Sequence, residues 1–165
     1  MRSRVTIAVV VALALSAFPG YAATVLALGA SNTRGKGVAP GQAYPAQLEA
    51  ILRARGKKVS VVNAGINGDT TDNILARMDR LISKDTKVVI LQPGGNDRRK
   101  GKTDERSNVD AIQSRLTARG IALVMLPNNM LSGKPHQPDG QHLTPEGYHQ
   151  LAEELTASVE GALGR

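Results

Sequence analysis

The 165-residue chain contains no cysteine and no tryptophan. Without a thiol, disulfide scaffolds, thiolate zinc sites, a cysteine nucleophile and an acylated N-terminal cysteine are all excluded, and stability has to come from a packed core. Aromatic residues make up only 2% of the chain. Phe18 and Tyr21 fall in the first 22 residues, so the rest keeps Tyr44 and Tyr148 alone. Two rings are too few for a base-stacking platform or an aromatic sugar-binding floor, and a nucleic-acid partner is not expected. Nor is there an apolar run of the roughly 18 to 20 residues that a membrane-spanning helix needs. The longest, Val5 to Phe18, has 14.

What is present is ordinary for one globular domain, with 41% hydrophobic and 21% charged residues. Arg2 and Arg4 precede the Val5 to Phe18 run, and Pro19, Gly20 and the small pair Ala22-Ala23 follow it. That charged, apolar, small-residue order is the pattern of an export leader. Cleavage is expected after Ala22, leaving residues 23–165 as the mature domain of a periplasmic or secreted protein. Taking Arg2 and Arg4 from the 21 Lys and Arg leaves 19 against 14 Asp and Glu, a net charge of +5.

Short aliphatic runs at Thr24 to Leu28, Lys58 to Val62, Lys87 to Leu91 and Ile121 to Leu126 are apolar on both faces, as buried parallel strands are. Helical patterns lie between and after them, at Tyr44 to Arg55, Thr71 to Ile82, Asp104 to Arg119 and Pro145 to Leu163. The last has the clearest start, because Thr144 can cap it, Pro145 fits the first helical position and Glu146 suits the positive end of the helix dipole. Regular alternation of this kind predicts an α/β fold, a doubly wound three-layer α/β/α sandwich on a short, mainly parallel sheet of about four strands. Polar, glycine-rich loops follow three strands, at Gly29 to Asn32, Asn63 to Asp69 and Gln92 to Asp97. Ligands in open α/β sheets bind beyond the carboxyl ends of the strands, so these loops are expected to converge.

Acyl transfer by a hydroxyl needs a base, a group that orients the base, and donors for the developing oxyanion. Ser31 follows the first strand beside Gly29, where a tight turn exposes its hydroxyl. Asp139 and His142 stand three apart, just before the capped last helix, so the carboxylate can hold one imidazole nitrogen while the other faces Ser31. The backbone N–H groups of Ser31 and Gly68 and the side-chain amide of Asn96 complete an expected oxyanion hole. Four blocks, Leu26 to Ser31, Asn63 to Thr70, Gly94 to Asp97 and Asp139 to Thr144, together resemble the SGNH hydrolases, or GDSL-type esterases and lipases. The resemblance spans nearly all of the mature chain. It is nearest the small periplasmic members with arylesterase, acyl-thioesterase and lysophospholipase activities. It implies Ser31, His142 and Asp139 as a catalytic triad, Ser31, Gly68 and Asn96 as the oxyanion hole, a small ester or thioester as substrate, and no metal or organic cofactor.

Two departures from the family pattern stand out. Ala30 occupies the place where the family usually has Asp, so the bonds that brace the nucleophile turn are expected from elsewhere. Only Pro127 to Gln141 separates the fourth strand from the Asp139 block, so no fifth strand is expected and the long loop should form a wall or a flap of the acyl pocket.

Competing readings of single residues also bear on the site. Of the three histidines only His142 has an Asp three residues earlier, whereas His136 lies in the long loop and His149 on the last helix, and a metal set of His136, Asp139 and His142 has no supporting ligand cluster. Asp97 is expected to be structural, and Asp69 and Asp72 to favour the start of the second long helix. Gly35-Lys36 lacks the Ser or Thr of a phosphate-binding loop, and Gly35, Gly37 and Gly41 do not make a dinucleotide fingerprint. The basic run Arg98 to Lys102 is a solvated face or a patch that steers anionic substrates and touches anionic lipid surfaces. Two other functions fit the same loops: a carbohydrate O-acetylesterase, and a catalytically silent module that binds a small ligand.

Overall fold

The computed structural model of the chain describes residues 23–164, so the leader reading of residues 1–22 lies outside the described residues. Four strands form one sheet: β1 (Ala23–Gly29), β2 (Val59–Gly65), β3 (Thr86–Leu91) and β4 (Ala122–Met125). All neighbouring pairs are parallel and the spatial order is β2-β1-β3-β4. Six helices accompany them: α1 (Ser31–Arg34), α2 (Tyr44–Ala54), α3 (Thr71–Leu81), α4 (Gly95–Arg99), α5 (Glu105–Thr117) and α6 (Pro145–Leu163). The expected three-layer α/β/α sandwich on four strands is the fold observed.

Strand alternation divides the core. Val25, Ala27, Val88 and Ile90 point to one face, where Leu48 and Leu52 of α2 and Tyr148, Leu151 and Leu155 of α6 cover them. Leu26, Leu28, Val89 and Leu91 point to the other, under Ile74 and Met78 of α3 and Ile112 and Leu116 of α5. Residues 25–28 and 88–91 are 0–1% exposed, which is why these runs carry no polar alternation. Full burial of each Leu, Ile or Val contributes about 1.5–3 kcal/mol, so the two central strands fix the position of everything attached to their ends.

Register then sets the site. Gly29 is level with Gly65 across β1 and β2, and Leu28 is level with Leu91 across β1 and β3. The three polar loops therefore leave the sheet side by side. At the opposite end of the chain, α6 starts as its sequence suggests: the Thr144 hydroxyl accepts a hydrogen bond from the Gly147 N–H at 3.2 Å, with Pro145 in the first turn. That start holds residues 139–142 beside the same sheet edge.

Candidate active site

Ser31 opens α1 two residues after β1. The turn is packed too tightly for larger residues at two points: a Cβ on Gly29 would lie 2.1 Å from Thr33 Oγ1, and one on Gly65 would lie 2.2 Å from the Arg34 nitrogen. Bracing comes from several directions, as Ala30 requires. The Gly29 carbonyl accepts from the Ile66 N–H at 3.1 Å and from Arg77 at 3.3 Å. Buried Thr33 donates to Gln92 Oε1 at 3.0 Å, and Asn32 donates to the Gln141 carbonyl at 3.1 Å. The Tyr148 hydroxyl donates to Asn32 Oδ1 at 3.0 Å, and burial pushes that phenol up to about 12.

The His142 imidazole bridges the two other sequence-selected groups. Its Nε2 is 2.9 Å from Ser31 Oγ, and its Nδ1 is 2.5 Å from Asp139 Oδ2. A carboxylate only accepts, so Nδ1 carries the proton and Nε2 turns a lone pair to the serine hydroxyl. The second oxygen of Asp139 accepts from the backbone N–H groups of Gln141 (2.9 Å) and His142 (3.0 Å). The imidazole bond above all, then those two N–H bonds, holds the Asp139 carboxyl far below the usual carboxylate range. The ring is buried while the carboxylate edge meets solvent.

Asn96 lies on α4 after Gly94, whose φ of +81° favours glycine. Asn96 is 8% exposed and donates from Nδ2 to the Asp69 carbonyl at 2.7 Å. Both Asn96 and Asp69 line a cleft of about 400 Å³ that also contains Ser31 and His142. Gly68 sits one residue behind the cleft wall on the same turn, with a φ of +81° and its carbonyl bound by Lys100 Nζ at 2.8 Å. Ser31, Asp139, His142 and Asn96 are thus brought together, with Gly68 at the border.

The long segment between β4 and α6 is a wall. A 3₁₀ turn at Asn128–Leu131 seats Leu131 in the core, and a bridge between His136 and Leu143 makes the remainder a narrow hairpin. Gln137 ties it to the Lys36 and Leu143 carbonyls, both at 2.8 Å. His136 lines the cleft and bonds the Lys134 carbonyl, and His149 bonds Gln47 on α2. Among the described residues no three His, Cys, Asp or Glu side chains gather as metal ligands.

Two acidic residues do structural work that the sequence indicated only in part. Asp97 is fully buried and accepts from the Thr71 N–H and hydroxyl, so it caps α3 from across the site. Asp72 does sit in the first turn of α3, but Asp69 lies before it and instead forms a buried ion pair with Arg77 at 2.8 Å. That correction has a physical reason. Arg77 is nearly two turns into α3 on its inner face and reaches both Asp69 and the Gly29 carbonyl, joining the Ser31 turn to the next loop. Nothing in sequence spacing marks a charged residue as buried; only its place on the apolar stripe between Ile74 and Met78 hints at it.

The profile of the GDSL-like lipase/acylhydrolase family matches residues 27–162. The chain is 32% identical to an arylesterase of Vibrio mimicus over 115 residues, 68% of this chain and 58% of that protein. It is 30% identical to esterase TesA of Pseudomonas aeruginosa over 118 residues, 70% and 59% of the two chains. It therefore spans less than two thirds of the length of these relatives. Among solved structures, esterase EstA of Pseudoalteromonas superimposes with a TM-score of 0.76 at 18% identity, over 86% of this chain and 99% of EstA. AlinE4, an SGNH-hydrolase family esterase, does so with a TM-score of 0.60 at 28% identity, over 82% and 73%. With the fold, the four blocks and a profile match over nearly the whole described region in agreement, this chain belongs to the GDSL-like lipase/acylhydrolase family.

Proposed function

We propose that the chain is a serine esterase that cleaves small carboxylic esters through an acyl-enzyme on Ser31. The observation that carries this reading is the His142 ring set between the Ser31 hydroxyl and the Asp139 carboxylate. His142 Nε2 takes the Ser31 proton as Oγ attacks the carbonyl carbon. The oxyanion is met by the N–H groups of Ser31 and Gly68 and by the free N–H of the Asn96 amide. Collapse breaks the bond to the leaving oxygen or sulfur, which takes the proton from Nε2. Water then gives a proton to Nε2, attacks the acyl carbon and releases the acid, and Ser31 recovers its proton. Asp139 keeps the ring in the one tautomer that serves both steps.

A short acyl group fits best. The cleft is lined chiefly by polar side chains such as Gln92, Asn128, Ser132 and His136, with Ala30, Pro93 and Leu131 as its apolar side chains. A long chain would bury little of its surface there. An exported enzyme follows from the leader reading of residues 1–22, and N-terminal sequencing of protein from a periplasmic extract tests it.

A fluorophosphonate probe with intact-mass and peptide analysis tests the mechanism. One adduct on Ser31, lost in Ser31→Ala, is expected. A folded protein that refuses the label would be a binding module. Hydrolysis of p-nitrophenyl acetate, butyrate, octanoate and palmitate ranks acyl length, with acetate or butyrate expected to give the highest kcat/KM. A preference for acetylated glycans over all four would favour the O-acetylesterase.

A further inference from the structure

The basic run Arg98 to Lys102 is neither a plain solvated face nor only a steering patch. Lys102 is paired with Asp72 at 2.7 Å, whereas Arg98, Arg99 and Lys100 have no carboxylate partner among the described residues. Two of these three cations instead hold oxygen atoms of the residues proposed above as oxyanion donors. Arg99 donates to Asn96 Oδ1 at 2.6 Å, and Lys100 donates to the Gly68 carbonyl at 2.8 Å.

For Asn96 the consequence is specific. A primary amide can exchange its oxygen and nitrogen by a half turn. Here Oδ1 faces a guanidinium, which only donates, and Nδ2 faces the Asp69 carbonyl, which only accepts, at 2.7 Å. The flipped amide would set N–H against N–H and oxygen against oxygen. One orientation survives, and it leaves the second Nδ2–H for the cleft. A charged donor on the amide oxygen also polarises the group and strengthens its N–H as a donor. The other arm of the same guanidinium reaches Gln141 Oε1 at 2.5 Å. Gln141 immediately precedes His142, and its own N–H holds Asp139. One planar fork therefore spans the oxyanion loop and the segment that carries the base, a geometry that a lysine ammonium cannot copy.

We infer that Arg99 is a positioning residue of the oxyanion hole, fixing the Asn96 amide and its distance from the His142 segment, with Lys100 steadying the Gly68 turn in a lesser way. The inference rests on the oxyanion reading given under Proposed function. The experiment separates the two.

Asn96→Ala is measured first, on p-nitrophenyl butyrate. A fall in kcat of about 10²- to 10³-fold is expected for loss of an oxyanion donor. Full activity in this variant would remove the oxyanion reading and, with it, anything for Arg99 to position. Arg99→Ala is expected to lower kcat about 10- to 100-fold, as loss of a group that orients a reacting one does, with KM changed by less than about threefold. In the Asn96→Ala background the same substitution should cost less than about twofold, because the amide it holds is gone. Arg99→Lys should stay within about threefold of Arg99→Ala, since it keeps charge but not the fork. Millimolar guanidinium should restore part of the kcat of Arg99→Ala and none of that of Asn96→Ala. Lys100→Met should lose about fivefold in kcat, the scale of one exposed hydrogen bond. Arg119→Ala, which removes only an exposed pair with Asp79, is the control and keeps its kcat. If Arg99→Ala does not fold, Arg99→Gln enters the same cycle. Multiplicative losses in the double variant, or a folded Arg99→Ala with undiminished kcat, overturn the proposal while leaving the oxyanion reading intact.

Discussion

The two halves of the site are held in different ways. Ser31 and Asn96 hang from the ends of β1 and β3, whose residues 25–28 and 88–91 are 0–1% exposed, and Asp69, beyond the edge strand β2, is held by its buried pair with Arg77. Asp139 and His142 lie on residues 127–144, a segment that adds no strand to the sheet and reaches the core chiefly through Leu131 and Leu143. Its geometry comes from hydrogen bonds, some within the segment, such as Gln137 N–H to the His142 carbonyl at 2.7 Å and Thr144 N–H to the Pro135 carbonyl at 3.0 Å, and some to Asn32, Lys36 and Arg99. The Ser31 side is fixed by folding itself, while the His142 side is fixed by a small network laid over the finished fold. Loosening the scaffold beneath the first should register as lost stability, and loosening the network that holds the second should register first as lost activity.

Asp139→Asn gives the largest separation of the two. An amide at this position can donate to Nδ1 and favour the wrong tautomer, so kcat should fall about 10⁴-fold. Circular dichroism and thermal melting at neutral pH should scarcely change, because the carboxylate edge is open to solvent. The pH dependence has a definite sign. The folded-state value of Asp139 is depressed, so whatever stability the ionised carboxylate contributes is complete above its unfolded value of about 3.9 and is lost only as pH falls toward the depressed one. The acid limb of the wild-type kcat/KM profile, above pH 4, therefore belongs to another group.

Arg77→Met tests the opposite side. It strands the Asp69 carboxylate, whose side chain is 10% exposed, and releases the Gly29 carbonyl. Removal of one partner of a buried pair costs about 3–5 kcal/mol, readable in urea unfolding. Adding Asp69→Asn to Arg77→Met should recover part of that loss. Equal stability of Arg77→Met and wild type would show that the nucleophile edge needs no such tie.

Leu131→Ala lies between these cases, since it loosens the seat of the base-bearing segment without touching its hydrogen bonds. Leu131 is 8% exposed, so a loss near the low end for buried leucine, about 2 kcal/mol, is expected. The more telling sign is order: esterase activity should vanish at a lower urea concentration than the helical signal, as local opening precedes global unfolding. Coincident loss of both would mean that the two halves unfold as one.

How far this design was legible in the sequence follows the same division. The central strands and four long helices could be read because burial on both faces, helix stops and the Thr144 cap are local signals, and they agree with the observed elements to within a few residues. Ser31, Asp139, His142 and Asn96 could be named because each follows a strand or precedes a capped helix in a recognisable block. The short helices α1 and α4 were not foreseen, because four or five residues carry no periodicity to detect. The Arg77–Asp69 pair and the Arg99 fork escaped for a different reason: both join residues across loops, and spacing along the chain says nothing of such meetings. The loop from Pro127 to Gln141 reads as a wall or a flap, and its tether, the His136–Leu143 bridge with the core seat of Leu131, joins residues that spacing along the chain does not pair.

The smallest effect concerns a group inside the half that folding fixes. Tyr44 is 0% exposed, and its hydroxyl has no hydrogen-bond partner among the described residues. Thr33 stands close by but spends its own proton on Gln92. Burial accordingly drives the Tyr44 phenol well above its ordinary value, since an anion there would be unsolvated. An unsatisfied buried hydroxyl carries a desolvation cost that a phenylalanine ring of the same shape avoids. Tyr44→Phe should therefore leave kcat unchanged and be neutral or more stable by up to about 1 kcal/mol in urea unfolding. A destabilisation of that size would instead mean that Thr33 shares a hydrogen bond with the phenol, and that the nucleophile turn, which Thr33 braces through Gln92, reaches one layer deeper into the α2–α6 core than the static geometry indicates.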